Sequence, residues 1–334
     1  MPASEKARSH EDTRGKIRYK PGHGKKTETF MNATPLFDRA LLDRRRNRVA
    51  RDPAAQSARF LLANVAAELA ERLSLVERQF DLGIDLASHG GEMAELLGLS
   101  GKVGTVVRVE RLAALVSEGA TRQRLAVVAD EEALPLKEAS ADLVVSALSL
   151  HLTNDTPGAL IQAARTLRPD GLFLAALLGG DTLSELRTAL LEAEAEIRGG
   201  ASPRVPPFVD IRDAGALLQR AGLALPVTDQ DRLTVRYDSM FALMRDLRAM
   251  GMANMLTARS RTPTPRRLFL RAAEIYQERF ADGDGRVRAT FDIVYLSGWK
   301  PHESQQKPLQ PGSAKASLSE ALADRSRPGR PATS

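Results

Sequence analysis

The chain of 334 residues sets 48 lysines and arginines against 42 aspartates and glutamates, is 43% hydrophobic, and contains no cysteine. This composition excludes disulfides, thiolate zinc sites, cysteine-ligated iron–sulfur clusters and cysteine nucleophiles, and the longest unbroken apolar run, 172–178, falls far short of the ~20 residues a membrane helix needs. Basic residues are concentrated in 1–60 and 300–334 while 61–299 is mildly acidic, so no basic stripe crosses the folded part and nucleic acid is not an expected partner.

Residues 1–34 are polar and basic, carry Gly15, Pro21, Gly22 and Gly24, and have too few aliphatics to offset their ordering entropy, so they read as a disordered tail. Glu5, Glu11 and Asp12 argue against a mitochondrial presequence there. One domain is expected over 35–300, opening with N-terminal helices in 36–73, where Phe60, Leu61, Val65, Leu69 and Leu73 recur at helical spacing. Strands follow at 80–87, 105–109, 125–128, 142–147 and 172–177, separated by helical stretches at 91–97, 112–117 and 158–167. A turn is expected at Arg168-Pro169-Asp170-Gly171. The second half carries helices at 183–197, 211–221, 239–250 and 266–280, and strands at 227–237 and 286–299. A Pro-rich tail, 301–334, closes the chain, with a short helix expected around 317–323. Strands alternating with helices predict an α/β fold with a doubly wound, largely parallel sheet. The last two strands, held apart by the helical insertion, are expected to pair antiparallel at its edge.

Ligands of such sheets bind beyond the carboxyl ends of the strands, near the switch point. The loop after the first strand, Asp85-Leu86-Ala87-Ser88-His89-Gly90-Gly91, is a weakened D-x-G-x-G-x-G pattern in which Ala87 and His89 stand at two glycine positions and Gly91 is kept. Small residues there let backbone N–H groups approach a ligand. Glu110, ending the second strand, suits a ribose diol, because a carboxylate accepts from two hydroxyls. Asp130 and Glu131 follow the third strand, where an acid can accept from an exocyclic adenine amine.

These residues, with Asp142-Leu143-Val144-Val145-Ser146 and Leu167-Arg168-Pro169-Asp170-Gly171, resemble the ordered motifs of class I S-adenosylmethionine methyltransferases over about 80–178. A narrower resemblance runs from Leu36 to Ala314. It rests on Phe37-Asp38-Arg39, Ser149-Leu150-His151 with Asn154-Asp155, Gly179-Gly180-Asp181-Thr182-Leu183, Ser202-Pro203, Met240-Phe241 and Gly298-Trp299-Lys300 with His302-Glu303-Ser304-Gln305. These segments are similar to the complex I assembly factor 5 family, methyltransferase-fold arginine hydroxylases of respiratory complex I. The biotin-pathway malonyl-carrier-protein methyltransferase is a more distant likeness.

The resemblance implies a seven-stranded Rossmann-like sheet with the last strand antiparallel, a cofactor-binding core at 80–178, an acceptor region at 179–285 and a closing strand at 286–299. It implies S-adenosylmethionine bound by Asp85, Ala87, His89, Gly91, Glu110, Asp130, Glu131 and Ser146, and a protein acceptor that is a complex I subunit. The implied location is the bacterial cytoplasm, with peripheral contact at the inner membrane. Three functions follow: modification of a protein arginine by hydroxylation or methylation, carboxyl or small-molecule methyl transfer, or non-catalytic chaperoning of assembly. His151 and Asp181 are the candidate catalytic residues. His89, His151 and Asp155 together would be a facial metal set, but no H-x-D pair supports it and no metal site is expected. Arg44, Arg45, Arg46 and Arg48 read as a solvated face, or as a surface that docks an acidic partner or anionic lipid. Phe241, Met244, Leu247, Met250 and Met255 read as core, with a lid over the acceptor pocket as the rival, and His302 as a surface turn or an acceptor contact.

Overall fold

The computed structural model describes residues 34–116 and 124–305. Seven strands form one sheet: β1 (Phe80–Leu86), β2 (Val103–Glu110), β3 (Arg124–Val128), β4 (Ala141–Ala147), β5 (Leu167–Leu178), β6 (Ala224–Tyr237) and β7 (Val287–Trp299). Their order is β3-β2-β1-β4-β5-β7-β6. The first five are parallel, and β7 lies antiparallel between β5 and β6. Helices α1 (Arg39–Val49), α2 (Phe60–Ser74), α3 (Glu92–Leu99), the single turn α4 (Ala113–Val116), α5 (Thr156–Thr166), α6 (Ser184–Arg198), α7 (Ile211–Arg220), α8 (Met240–Ala249) and α9 (Arg266–Phe280) surround it.

The central strands are apolar along their length because both faces are covered. On one face Leu143, Val145 and Ala147 of β4 join a core with Leu61, Val65, Leu69 and Leu73 of α2 and with Leu186, Leu243 and Tyr276 of α6, α8 and α9. On the other, Val144, Phe173 and Leu177 pack on Leu160 and Ala163 of α5 and on Ala214 and Leu218 of α7. Side-chain caps start several helices: Asp38 accepts from the Leu41 N–H, Asp155 from Gly158, Asp210 from Arg212 and Ser239 from Ala242.

Two local expectations change. The segment 168–171 is a bulge inside β5, not a turn before it: pairing slips between Ala141–Leu167 and Leu143–Leu172, and Asp170 sits at φ 65°. The extra residues stay in the sheet because Lys300 bonds to them on both sides, Asp170 N–H to Lys300 O at 3.0 Å and Lys300 N–H to Gly171 O at 2.8 Å. The arginine run is only in part a solvated face: Arg44 and Arg48 are exposed, but Arg46 is buried with Leu42 on the same helix, α1. A third cluster explains the anchoring: Phe37 and Leu42 pack with Leu152, Met255 and Leu256. Asn154 bonds the backbone of Phe37 in both directions, at 2.8 and 3.1 Å. Among the described residues no helix is long and apolar enough to cross a membrane. The tail assignments for 1–33 and 306–334, and the helix around 317–323, lie outside the described residues.

Candidate functional site

The turn after β1 holds Ala87 at φ 56°, His89 at 48° and Gly91 at 98°. All three glycine positions of the sequence pattern therefore have left-handed backbone, at a cost of ~1–2 kcal/mol for each residue that has a Cβ. Strain kept at a strand-to-helix turn marks a place where the backbone path matters more than local stability. Arg108, fully buried on β2, braces the loop from below. Its Nε donates to Ser88 Oγ at 3.2 Å, and its Nη2 donates to His89 O at 3.1 Å and to Leu115 O at 3.0 Å. A Cβ on Gly91 would lie 2.8 Å from the Arg108 Cζ, so this glycine is required. Asp85 accepts from the Ala94 N–H at 3.0 Å. Burial pushes its carboxyl up to about 7, against the opposing charge of Arg108.

Glu110 ends β2 with its side chain fully buried. Its Oε2 accepts from the His89 N–H at 2.9 Å and from Arg46 Nη2 at 3.1 Å, and its Oε1 accepts from the Leu112 N–H at 3.1 Å. Arg46 Nη2 also meets His89 Nδ1 at 2.9 Å, while His89 Nε2 lies 3.0 Å from Ala147 O. A guanidinium only donates and a carbonyl only accepts, so His89 carries its proton on Nε2. Burial, then the charge of Arg46, lowers its pKa to about 3, and the ring is neutral. Asp130, Glu131 and Glu132 after β3 all engage Arg39, at 2.8 Å for Asp130. Burial raises the Asp130 pKa, but the Glu132 N–H and Arg39 more than offset it and leave it below the ordinary value. Glu131 moves up through burial, opposed by Arg39.

The sequence pattern thus brings Asp85, Ala87, His89, Gly91, Glu110, Asp130 and Glu131 to one sheet edge, and the structure adds two residues it missed. Arg39 and Arg46 project from α1 onto that edge. A helical reading of 39–49 carried the signal: Leu42, Arg46 and Val49 share one face, and an arginine on an apolar face needs an acid to meet.

Further along, Ser146 is fully buried at the end of β4 and its Oγ has no partner. His151, in the turn after β4, is also buried; its Nδ1 faces the Leu178 N–H at 3.5 Å, its Nε2 has no partner, and Phe208 stands edge-on at 5.8 Å. Burial, then His89, lowers its pKa to about 3. Asp155 caps α5 through its Oδ1, so it does not converge with the two histidines. Among the described residues no group of three His, Asp or Glu side chains is placed to share a metal. Asp181 is exposed and ion-paired with Arg232 of β6, outside the lining of the cavity described next. His302 lies beyond Trp299, which pairs with Leu172 at the start of β5, and so stands at the opposite edge of the sheet from the loop.

A cavity of about 110 Å³ opens between α1, α2, the β1 loop and the end of α8, lined by Leu42, Arg46, His89, Leu148, Leu152 and Met250 among others. Ligand pockets start near ~300 Å³, so a nucleoside does not fit while Arg46 and His89 hold this position. The surrounding groups do suit one in kind: a left-handed loop, a buried carboxylate and an acid at the next strand end.

Residues 84–175 match the methyltransferase domain family model. The chain is 16% identical to a candidate methyltransferase of Bacillus halodurans C-125, with a TM-score of 0.51 over 72% of this chain and 100% of that one, a likeness of fold alone. It is 34% identical to the malonyl-[acyl-carrier protein] O-methyltransferase of Laribacter hongkongensis, over 81% of this chain and 94% of that protein. It is 40% identical over 292 residues to the mitochondrial arginine-hydroxylase NDUFAF5 of Homo sapiens, covering 85% of this chain and 83% of that protein. A likeness of 40% holds for the Danio rerio protein too, over 85% and 89%. Fold, strand-end acids and likeness along most of both chains converge: the chain belongs to the arginine-hydroxylase NDUFAF5 family, within the class I methyltransferase-fold enzymes.

Proposed function

We propose that this chain binds S-adenosylmethionine at the carboxyl edge of β1–β4 and modifies an arginine side chain of a respiratory complex I subunit during assembly. The observation that carries the reading is the loop at 87–91, which keeps glycine-like backbone at Ala87 and His89 although neither is glycine. Glu110 is the residue for the ribose hydroxyls and Asp130 for the adenine amine. Bound S-adenosylmethionine supplies an electrophilic methyl sulfonium. Before it binds, Arg46 has to leave Glu110 and Arg39 has to loosen from Asp130, so α1 acts as the cover of the site. His89, neutral and bonded to Ala147 O, closes the space between the loop and β4. Ser146 and His151 are the polar groups at the β4 end left to meet an acceptor, and orienting it is their contribution.

Hydroxylation is favoured over methyl transfer because the family relatives are arginine-hydroxylases by name over most of their length. It would take one oxygen atom from dioxygen and release the other as water, with two electrons and two protons from an external reductant, so the methyl sulfonium would be consumed only in the methylation reading. The malonyl-carrier relative keeps carboxyl methylation as a second reading. Either reading is compatible with a cytoplasmic enzyme that has at most peripheral membrane contact. Mass spectrometry of complex I subunits from a deletion strain and its complemented parent is the test. An arginine that loses one oxygen in the deletion supports the reading, and one that loses a CH2 group redirects it to methylation. Subunits of identical mass in both strains would sink it.

A further inference from the structure

The mouth of the cavity is bordered by α1 on one side and by the end of α8 with residues 249–252 on the other. Arg46, Val49 and Ala50 turn inward, as do Ala249 and Met250. Their neighbours turn outward: Arg44, Arg48 and Arg248 are exposed. Among the described residues these three make no ion pair, whereas Arg39 and Arg46 on the same helix as Arg44 and Arg48 do. They cluster with two more. Arg45 bonds to Ala253 O and Asn254 O at 2.7 Å, which ties α1 to the segment after α8. Burial first, and then the charge of Arg259, lower the pKa of Arg45; Asp38 opposes them, and Arg48 and Arg248 add to the lowering, so Arg45, Arg48, Arg248 and Arg259 stand close enough to repel, while Arg44 acts on Asp38 beside them. The acid within the cluster is Asp38, and it is already taken by Arg259 at 2.9 Å and by the Leu41 N–H.

Several like charges held together at a cavity mouth with Asp38 as the acid they share cost free energy in the isolated molecule, and an anionic partner offsets that cost. A small anion would be served by one or two of them inside the cavity. These lie outside it, on both rims, so they fit a macromolecule that spans the opening. A membrane would meet them only by covering the entrance through which the acceptor must pass. We propose that Arg44, Arg48 and Arg248 form the docking rim for the protein acceptor, and that the acceptor carries acidic residues on both sides of the side chain delivered into the cavity. This rests on the protein-acceptor reading above. Met250 and Met252 at the mouth add an apolar surface that adapts to the delivered chain.

The test uses the full chain and labelled synthetic peptides with a central arginine flanked by glutamates or by glutamines, read by fluorescence anisotropy at about 20 mM and about 150 mM NaCl. The glutamate peptide is expected to bind roughly tenfold more tightly at low salt, with the advantage shrinking at higher salt. The triple variant R44E/R48E/R248E should lose that preference while its calorimetric affinity for S-adenosylhomocysteine stays unchanged. Equal binding of both peptides by the wild type, with S-adenosylhomocysteine still bound, would overturn the rim and leave the enzyme reading standing. A glutamate preference without any S-adenosylhomocysteine binding would keep the rim and remove the cofactor. Sedimentation with phosphatidylglycerol vesicles that is lost in the triple variant, without any peptide preference, would assign the rim to lipid headgroups and overturn it as well.

Discussion

Arg46 occupies the carboxylate proposed for the ribose, so its removal and the removal of Glu110 should act in opposite directions. Arg46→Met leaves Glu110 Oε2 with the His89 N–H alone and should tighten S-adenosylhomocysteine binding by about 1.5–3 kcal/mol, the usual worth of a hydrogen bond to a charged group, while lowering the melting temperature. Glu110→Gln should weaken binding by a similar amount. Isothermal calorimetry on both variants decides it, and weaker binding by Arg46→Met would show that Arg46 holds the cofactor instead of covering its site. His151 gives a second opposed pair of outcomes. Its Nε2 is buried without a partner, so His151→Phe removes an unsatisfied group and should leave stability equal or higher. Modification of the acceptor should nevertheless be lost; a structural histidine would give the reverse. The same ring predicts a pH dependence. In the fold its pKa is about 3, while in the unfolded chain it is near the ordinary 6.5, so only the unfolded chain takes up the proton between these values. Stability is therefore lost as pH falls from about 6.5 towards 3, and His89 contributes in the same direction. Asp85 runs the other way: it keeps its proton in the fold up to about 7, so its contribution falls as pH rises from about 4 to 7. Urea titrations at a series of pH values should show a shallower acid slope in His151→Phe than in the wild type.

The loop after β1 and helix α1 differ in how plainly the sequence announces them. Asp85 to Gly91 was legible because small residues at fixed spacing follow an apolar strand, and Glu110 and Asp130 end the next two strands. What the spacing could not convey is that Ala87 and His89 accept the left-handed backbone of the glycines they replace. That conformation is imposed by Arg108 and Glu110, which bond the loop from residues about twenty positions away. Ala87→Gly should then relieve strain, raising stability by roughly 0.5–1 kcal/mol in chemical denaturation, whereas the same change at an ordinary right-handed position would lower it. For α1, the run Arg44-Arg45-Arg46-Asn47-Arg48 looks uniform in one dimension. The helix separates it by angle, sending Arg46 to the buried acid, Arg45 to the carbonyls after α8, and Arg44 and Arg48 to solvent. Tertiary partners about 60 and more residues distant decide those fates, and no local pattern encodes them.

Across the whole molecule, the antiparallel strand β7 carries the chain away from the loop edge, and the motif Trp299-Lys300 with His302 to Gln305 ends at the far side of the sheet. There Gln305 Nε2 donates to Asp170 Oδ1 at 2.9 Å and to Lys300 O at 2.8 Å, and Arg78 pairs with Asp170 and lies over Trp299 at 5.9 Å. The largely parallel sheet with an antiparallel last pair was readable from the alternation of strands and helices, and the seven-stranded form followed from the family resemblance, but an acceptor role for His302 was not separable from a structural one without knowing which edge it reaches. Asp170→Ala should lower the thermal midpoint by a few degrees and leave S-adenosylhomocysteine affinity unchanged; a drop in affinity alone would return this edge to the reaction. At the other end of the order, β6 has one side without a neighbouring strand, along a run of fourteen residues. Its middle exposes Asp229, Gln230, Asp231 and Arg232, with Arg232 held by Asp181 and Asp229 by Arg72. Charges placed there keep two molecules from extending their sheets into each other, so Asp231→Val with Arg232→Thr should convert a self-avoiding edge into a self-templating one, visible as fibrous or soluble aggregates at concentrations the parent tolerates.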